Sequence, residues 1–460
     1  MPTCADFALP FRPWVAAMSR ATTRPSRPAL TSLTAPALLA PLLGRPVAIF
    51  GGGMSGHAVR DVLARLGARG EIFDEKPTAG AARTFGRADA EQHPLVVFSP
   101  GFAPDHAWLQ TARVAGGTCL GELDFASLFW SGQLIAITGT NGKTTLTEFL
   151  THALRTAGET AFAVGNVGFP FSRLLLQPSA ADAIAVCEVS SFQAETLQHF
   201  HADATLWTNF AEDHLERHPG LQSYFAAKWN LVDHTRPGAI FAGSSVARFA
   251  SQFGRPLPPE ACVATEDAAP DARLNGTPFA LYPQRENFQL ALAWWRQTQR
   301  SEPALHGAAH SFRLGRHRLA LVGEFRGVSF WNDSKATNFH AVEAALATFS
   351  APVHLILGGR AKGGDLRAFV SRIAGKCRHL WLIGETRASL AVLCAAAHVP
   401  HTVCGSLEEA VHGAAAAARP GEPVILSPAF ASFDMFRSYA DRGDQFERLV
   451  AGLGETSIFQ

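Results

Sequence analysis

A chain of 460 residues is too long for one hydrophobic core and predicts roughly 2–4 domains. Its 47% hydrophobic and 17% charged residues exclude extensive disorder. Lys plus Arg (40) balances Asp plus Glu (39), which excludes the global positive field that a nucleic acid or an anionic membrane surface requires.

No apolar run is long enough for a bilayer-spanning helix. The seven cysteines include no C-x-x-C pair, which points to a reducing compartment. Residues 1–44 carry Arg12, Arg20, Arg24 and Arg27 against a single acid, Asp6, among many Pro, Ala, Ser and Thr. A targeting segment, a disordered tail and translation from an upstream start share that composition; a disordered tail without function is the expectation.

The first folded stretch, 45–133, opens with the short buried-strand pattern Val47-Ala48-Ile49-Phe50. The turn Gly51-Gly52-Gly53-Met54-Ser55-Gly56, an amphipathic run over 57–66 and a second strand ending at Asp74 follow. This is a βαβ unit of Rossmann type. Gly51, Gly53 and Gly56 match G-x-G-x-x-G, where missing side chains let backbone and helix N-terminus approach a pyrophosphate, and Asp74 lies where an acid holds ribose hydroxyls. Tight helix–strand packing is the competing reading. A third strand, 95–98, runs into Ser99-Pro100-Gly101, a turn of the kind at which open α/β sheets bind ligands.

The second stretch, 134–318, contains Ile135-Ala136-Ile137-Thr138-Gly139-Thr140-Asn141-Gly142-Lys143-Thr144-Thr145. An apolar strand enters a glycine-bearing loop and a helix over 146–154 continues it. Backbone N–H groups and the helix dipole suit a phosphate, Lys143 reaches the β- and γ-phosphates, and the Thr144 hydroxyl suits Mg2+. Ile137 stands where the general P-loop pattern has its first Gly. The third stretch, 319–460, again alternates strands, at 353–357, 379–383 and 424–426, with helices, predicting another α/β layer structure.

The segment 138–145 resembles the P-loop of the Mur ligases, a family that includes folylpolyglutamate synthetases. Further segments occur in that family's order: Gly165-Asn166-Val167-Gly168, Glu188-Val189-Ser190-Ser191-Phe192-Gln193, Asn209-Phe210-Ala211-Glu212-Asp213-His214 and Ala227-Lys228. Asn332-Asp333-Ser334-Lys335-Ala336-Thr337-Asn338, Leu357-Gly358-Gly359 with Lys362, and 426–434 resemble its glutamate-adding branch. The resemblance covers about 45–455 and implies a three-domain α/β architecture: a Rossmann-like domain binding UDP instead of NAD, a P-loop ATP-binding domain and a Rossmann-like amino-acid-binding domain.

It also implies a reaction. ATP phosphorylates a carboxylate of UDP-N-acetylmuramoyl-L-alanine, and the amino group of glutamate, in this branch D-glutamate, attacks the acyl phosphate, giving an amide, ADP and phosphate. This is mainly electrostatic and positional work.

By the resemblance, the nucleotide side takes Gly139, Thr140, Asn141, Gly142, Lys143, Thr144, Thr145, Asn287, Arg318 and Asp333. The UDP-substrate side takes Met54, Ser55, Asp74, Ser99, Gly101 and Asn166, and the amino-acid side Lys335, Thr337, Lys362, Ser432, Phe433 and Tyr439. Thr144, Glu188, His214 and Lys228 are the implied Mg2+ ligands, with Lys228 carbamylated; Lys143, His214 and Lys228 are the implied catalytic residues.

Carbon dioxide adds only to a neutral amine, so such a lysine needs a desolvated or cationic setting. Read without the family, Lys228 is a solvated helix residue. Two lysines on the amino-acid side suit a substrate with two carboxylates. Leu290, Phe433 and Tyr439 replace the family's common Asn, Leu and Phe, and the last two leave L-glutamate as an alternative.

The expectation is a cytoplasmic monomer whose domains close on the nucleotide. A sibling ligase, a dinucleotide-dependent oxidoreductase built on 51–56, and a noncatalytic nucleotide-binding regulator are the rival readings.

Overall fold

Short apolar runs alternating with amphipathic helices build three sheets in a computed structural model that describes residues 33–178, 183–265 and 269–455. The first sheet takes β1 (Val47–Phe50), β2 (Gly70–Phe73), β3 (Leu95–Phe98) and β4 (Thr118–Gly121) in the order β2-β1-β3-β4, all parallel.

The second takes β5 (Gln133–Thr138), β6 (Ala161–Gly165), β7 (Ile184–Glu188), β8 (Ala204–Trp207), β9 (Ile240–Ala242) and β10 (Cys262–Val263). Its order is β10-β9-β8-β5-β7-β6, again parallel. The central strands β5, β7 and β8 are apolar almost throughout, as strands covered on both faces must be.

The third takes β11 (Ala320–Phe325), β12 (Val328–Asn332), β13 (Val353–Gly358), β14 (Cys377–Ile383), β15 (His401–Val403) and β16 (Val424–Leu426), in the order β11-β12-β16-β13-β14-β15. β11 pairs antiparallel with β12 across Arg326-Gly327, both at positive φ (52° and 75°), as a two-residue hairpin turn favours; the other pairs are parallel. Side chains alternate between two cores, Leu355 and Leu357 on one face and Ile356 on the other. Each buried Leu or Ile stabilises the sheet by about 1.5–3 kcal/mol.

The chain forms two compact units. The first holds the chain up to Phe210, Phe225–Thr277 and Glu286–Phe312, with the first two sheets; the second holds Ala211–Tyr224, Pro278–Arg285 and the chain from Arg313, with the third sheet. The first two sheets belong to one unit because a single apolar core links them. Ile49, Val97 and Leu123 join Leu134, Ala136 and Phe171 in it. The expected 134–318 stretch is thus interrupted, since 211–224 and 278–285 cluster with the third sheet.

Of the expected tail, residues 1–32 lie outside the described residues. Residues 36–43 form hydrogen-bonded turns, with Leu39 fully buried and Leu42 and Leu43 packed against the same core. Packed structure is therefore present before residue 45, and the spacing of these leucines puts them on one face of the turns. Among the described residues no helix is long and apolar enough to cross a membrane.

Candidate active site

The expected site residues gather at the carboxyl ends of strands, where parallel α/β sheets present loops and helix N-termini. In the first unit β5 leads into the loop 139–142 and the helix Lys143–Thr156. Gly139 (φ 144°) and Gly142 (φ 81°) leave no room for side chains. A Cβ on the first would lie 1.9 Å from Thr208 Oγ1, and one on the second 2.6 Å from Asn287 Nδ2. Ile137 is a buried strand residue paired with Glu188 and Leu206. The strand therefore persists past the position of the general pattern's first Gly, and the loop turns only at Gly139.

The residues after β8 brace this loop. Thr140 N donates to Asn209 O (3.0 Å), Asn141 N to Asn209 Oδ1 (2.9 Å), and Asn209 Nδ2 and Thr208 Oγ1 to Asn141 O (3.0 and 2.6 Å). The helix begins at Gly142 with no side-chain cap, so its first N–H groups suit an anion. Lys143 Nζ folds back and donates to Gly139 O and Thr140 O, both at 2.9 Å. Thr144 and Thr145 are buried, and Asn287 packs on Gly142.

Glu188 ends β7, next to β5, and is 1% exposed. Its Oε1 accepts from Asn166 Nδ2 (2.7 Å), and Asn166 N donates to its main-chain oxygen (2.9 Å). Oε2 is buried with no hydrogen-bond partner among the described residues. A buried carboxylate oxygen without a donor is costly, so Glu188 fits a divalent cation. Asn166, expected on the substrate side, here orients that carboxylate. The following Ser190 and Gln193 form a capping box for the short helix Ser191–Ala194.

Lys228 is 1% exposed, not solvated, and its Nζ donates to Gly139 O (2.8 Å) and Thr138 Oγ1 (3.4 Å). Its helix, Leu221–Asp233, is anchored by aromatic packing: Phe225 and Trp229 lie 5.0 and 6.4 Å from Trp207, the last residue of β8. Such pairs contribute about 0.5–1.5 kcal/mol each beyond buried area, and they press the lysine toward the loop.

At the first sheet, Gly51 (φ 104°) turns the chain out of β1, and a Cβ on Gly56 would lie 1.9 Å from Gly51 O. Asp74 Oδ2 accepts from Gly52 N (2.7 Å) and Oδ1 from Lys76 N (2.9 Å). The Gly52 bond is the largest cause holding its carboxyl below the usual range. Asp74 thus clasps the glycine turn. Ser99 borders the same turn, Met54 (77% exposed) and Ser55 open the helix Met54–Arg65, and Gly101 is exposed.

In the second unit three adjacent strands, β12, β16 and β13, deliver the segments 332–338, 426–434 and 358–362. Main-chain bonds tie them: Asp333 N to Leu426 O (2.8 Å), Ala429 N to Ala336 O (3.0 Å) and Arg360 N to Ala431 O (2.8 Å). Gly359 is obligatory, since its Cβ would meet Ala431 O at 2.4 Å. Asp333 accepts from Ser427 Oγ (2.8 Å) and Leu319 N (3.1 Å). Burial nevertheless pushes its carboxyl up to about 7, with the nearby Arg318 charge among the opposing influences.

Lys362 Nζ lies 3.4 Å from Thr337 Oγ1 and Lys335 Nζ 5.3 Å from the centre of the Tyr439 ring. Both lysines therefore stand beside groups expected to receive the amino acid. Ser432 is buried, but Phe433 is 68% exposed and is no packed wall. Glu212, His214, Thr337, Lys362 and Phe430 border a small open cleft in this unit. His214 has a left-handed backbone (φ 56°). Burial draws its imidazole below the ordinary range against the pull of Asp213, and the charge of Lys362 adds to the lowering.

The expected residues thus fall into three groups, one at each sheet. Asn287 joins the 139–145 loop, whereas Arg318, Asp333 and His214 belong to the second unit. Sequence reasoning gave no role to Thr208 and Asn209, although their place after the strand beside β5 is a usable signal. It also missed the bond from Asn338 Nδ2 to Asp213 Oδ2 (2.9 Å), whose partners lie 125 residues apart.

A family model for the Mur ligase middle domain matches residues 137–252 and one for the Mur ligase glutamate ligase domain matches 317–430. The UDP-N-acetylmuramoylalanine--D-glutamate ligase of Gloeobacter violaceus is 37% identical over 88% of this chain and 99% of its own. The enzyme of that name from Acidobacterium capsulatum is 34% identical over 89% and 96%. Among solved structures, a pseudomurein peptide ligase type C from Methanothermus fervidus superposes with TM-score 0.56 at 14% identity, over 89% of this chain and 100% of that one. The MurF ligase of Thermotoga maritima in complex with ADP gives 0.54 at 15%, over 88% and 96%.

Proposed function

The chain belongs to the Mur ligase family, and from that premise we propose that it joins glutamate to UDP-N-acetylmuramoyl-L-alanine at the expense of ATP, in the cytoplasmic synthesis of peptidoglycan precursors. The observation that carries this reading is the 139–145 loop. Two obligatory glycines, a brace from Asn209 and an uncapped helix N-terminus surround Lys143 there.

In the proposed reaction a carboxylate oxygen of the UDP-linked substrate forms a bond to the γ-phosphorus as the bond to the β-phosphate oxygen breaks and ADP leaves. The loop amides and Lys143 hold the phosphoryl oxygens and neutralise charge as it moves. The glutamate amine, once neutral, attacks the acyl carbon; the adduct loses a proton and expels phosphate, leaving the amide. Lys335 and Lys362 receive the glutamate carboxylates and orient the amine.

Thr144 and Glu188 would hold Mg2+, whose positive charge offsets that of the phosphates; the orphaned Glu188 Oε2 supports this. His214 and a carbamylated Lys228 complete the proposed ligand set. Burial of Lys228, and its sharing of Gly139 O with Lys143, support the carbamate. Two ammonium groups on one oxygen repel, and converting one to an anion replaces repulsion with attraction.

The relatives' names support the D enantiomer. L-glutamate is a second reading, favoured by Tyr439 in place of the common Phe and by the position of Lys335 over the Tyr439 ring. Incubating the protein with ATP, Mg2+, UDP-N-acetylmuramoyl-L-alanine and each glutamate enantiomer separately, with phosphate release and product mass recorded, tests the proposal. Product with one enantiomer supports it; no phosphate release with either defeats it.

A further inference from the structure

Asn338 is the N-cap of the helix Phe339–Leu346, and its Oδ1 accepts from Ala341 N at 2.9 Å. That bond fixes the orientation of the amide, because the oxygen must face the helix and the NH2 group must face away. The NH2 group donates to Asp213 Oδ2 at 2.9 Å, and Asp213 Oδ1 accepts from His214 N at 2.9 Å. His214 itself has φ 56°, a conformation that a non-glycine residue holds only when its surroundings dictate it. One side-chain amide therefore links the helix cap after Thr337 to the strained residue bearing the imidazole.

We propose that Asn338 is a positioning residue of the ligation reaction, which through Asp213 sets the backbone of His214 and so aims its imidazole. The proposal rests on the reading that His214 serves the metal site. Three features distinguish it from ordinary capping. The NH2 group plays no part in the cap. The carboxylate it meets is 7% exposed on its side chain and braces the next residue's N–H. The segment it ends also carries Asp333, Lys335 and Thr337, so His214 is held in register with the amino-acid side of the same unit.

The test uses the full chain and reads ligation velocity against Mg2+ concentration, with melting temperature as a control. Asn338→Asp keeps the cap, since Asp caps as well as Asn, but sets a carboxylate against Asp213. The Mg2+ concentration for half-maximal velocity should rise roughly tenfold or more, the order expected when a hydrogen bond to a charged group gives way to like-charge contact. The double exchange Asp213→Asn with Asn338→Asp moves the amide to the loop and the carboxylate to the cap. It preserves all three hydrogen bonds, the central one reversed, and should restore the wild-type dependence to within about twofold, which is inside the usual error of such coupling arguments.

Unchanged Mg2+ dependence in Asn338→Asp, or a double variant no better than that single one, overturns the proposal. His214→Ala separates the two levels. If it alters the Mg2+ dependence while Asn338→Asp does not, the positioning role falls alone. If His214→Ala behaves as wild type, the metal-site reading falls and the proposal with it.

Discussion

Replacing Gly142 by Ala should weaken nucleotide binding as well as straining the fold, and the other end of the same helix supplies the control. Gly142 (φ 81°) precedes the helix Lys143–Thr156 and Gly158 (φ 87°) follows it. Alanine at either position costs about 1–2 kcal/mol of left-handed backbone strain. At Gly158 a Cβ meets nothing within 4 Å, so strain is the whole cost. At Gly142 it would stand 2.6 Å from Asn287 Nδ2 and 3.1 Å from its Oδ1, and Asn287 is only 1% exposed and has no room to swing away.

Overpacking of this kind adds about 1–3 kcal/mol. The loop escapes it only by shifting its N–H groups off the phosphate position. At about 1.4 kcal/mol per decade, ADP affinity measured by titration calorimetry with Mg2+ should fall at least roughly tenfold in Gly142→Ala. Gly158→Ala should bind as wild type. ADP affinity in Gly142→Ala within about twofold of wild type, which is under roughly 0.5 kcal/mol, would refute the assignment of the loop to nucleotide.

Lys143→Ala should abolish ligation while the UDP-substrate still binds in an equilibrium assay; retained turnover contradicts the role given to the loop lysine. Lys228→Ala should have low activity that bicarbonate or short carboxylic acids partly restore, and full activity without additive rules out the carbamate. Glu188→Gln should be at least as stable as wild type in Mg2+-free melting, because it neutralises a buried orphaned carboxylate, yet require much more Mg2+ for turnover. A marked loss of stability would show that the charge serves the fold.

Asp333 tests the pH dependence. Burial keeps its carboxyl protonated in the fold up to about 7, whereas in the unfolded chain it ionises above the ordinary 3.8. Unfolding therefore releases a proton across that window, and this residue's contribution to stability falls by up to about 1.4 kcal/mol per pH unit as pH rises through it. Asp333→Asn should remove that slope in urea unfolding of the second unit's signal, and equal slopes in both proteins would show that Asp333 is already ionised.

Local chemistry was legible in the sequence; long-range bracing was not. β1, β3 and β16 lie where the apolar runs predict, because strands covered on both faces read as continuous hydrophobic stretches. The 139–145 loop was legible because each glycine has a steric reason. Lys228 was not legible from its neighbours, since Phe225 and Trp229 pack on Trp207 from a distant strand and so bury a lysine that composition alone would leave in water. Leu39 was masked by the proline- and arginine-rich context before it. Asn166 was read toward the substrate, whereas its nearest visible partner is Glu188; strand order, which sets β6 beside β7, decides that contact. The Asn338–Asp213 bond depends on the same kind of information.

The central claim is that a substrate carboxylate becomes reactive by taking the terminal phosphate of ATP. Ligation run with UDP-N-acetylmuramoyl-L-alanine carrying 18O in both carboxylate oxygens tests it directly. Attack through an acyl phosphate predicts one 18O atom in every phosphate released and one retained in the amide carbonyl; phosphate free of label would contradict it.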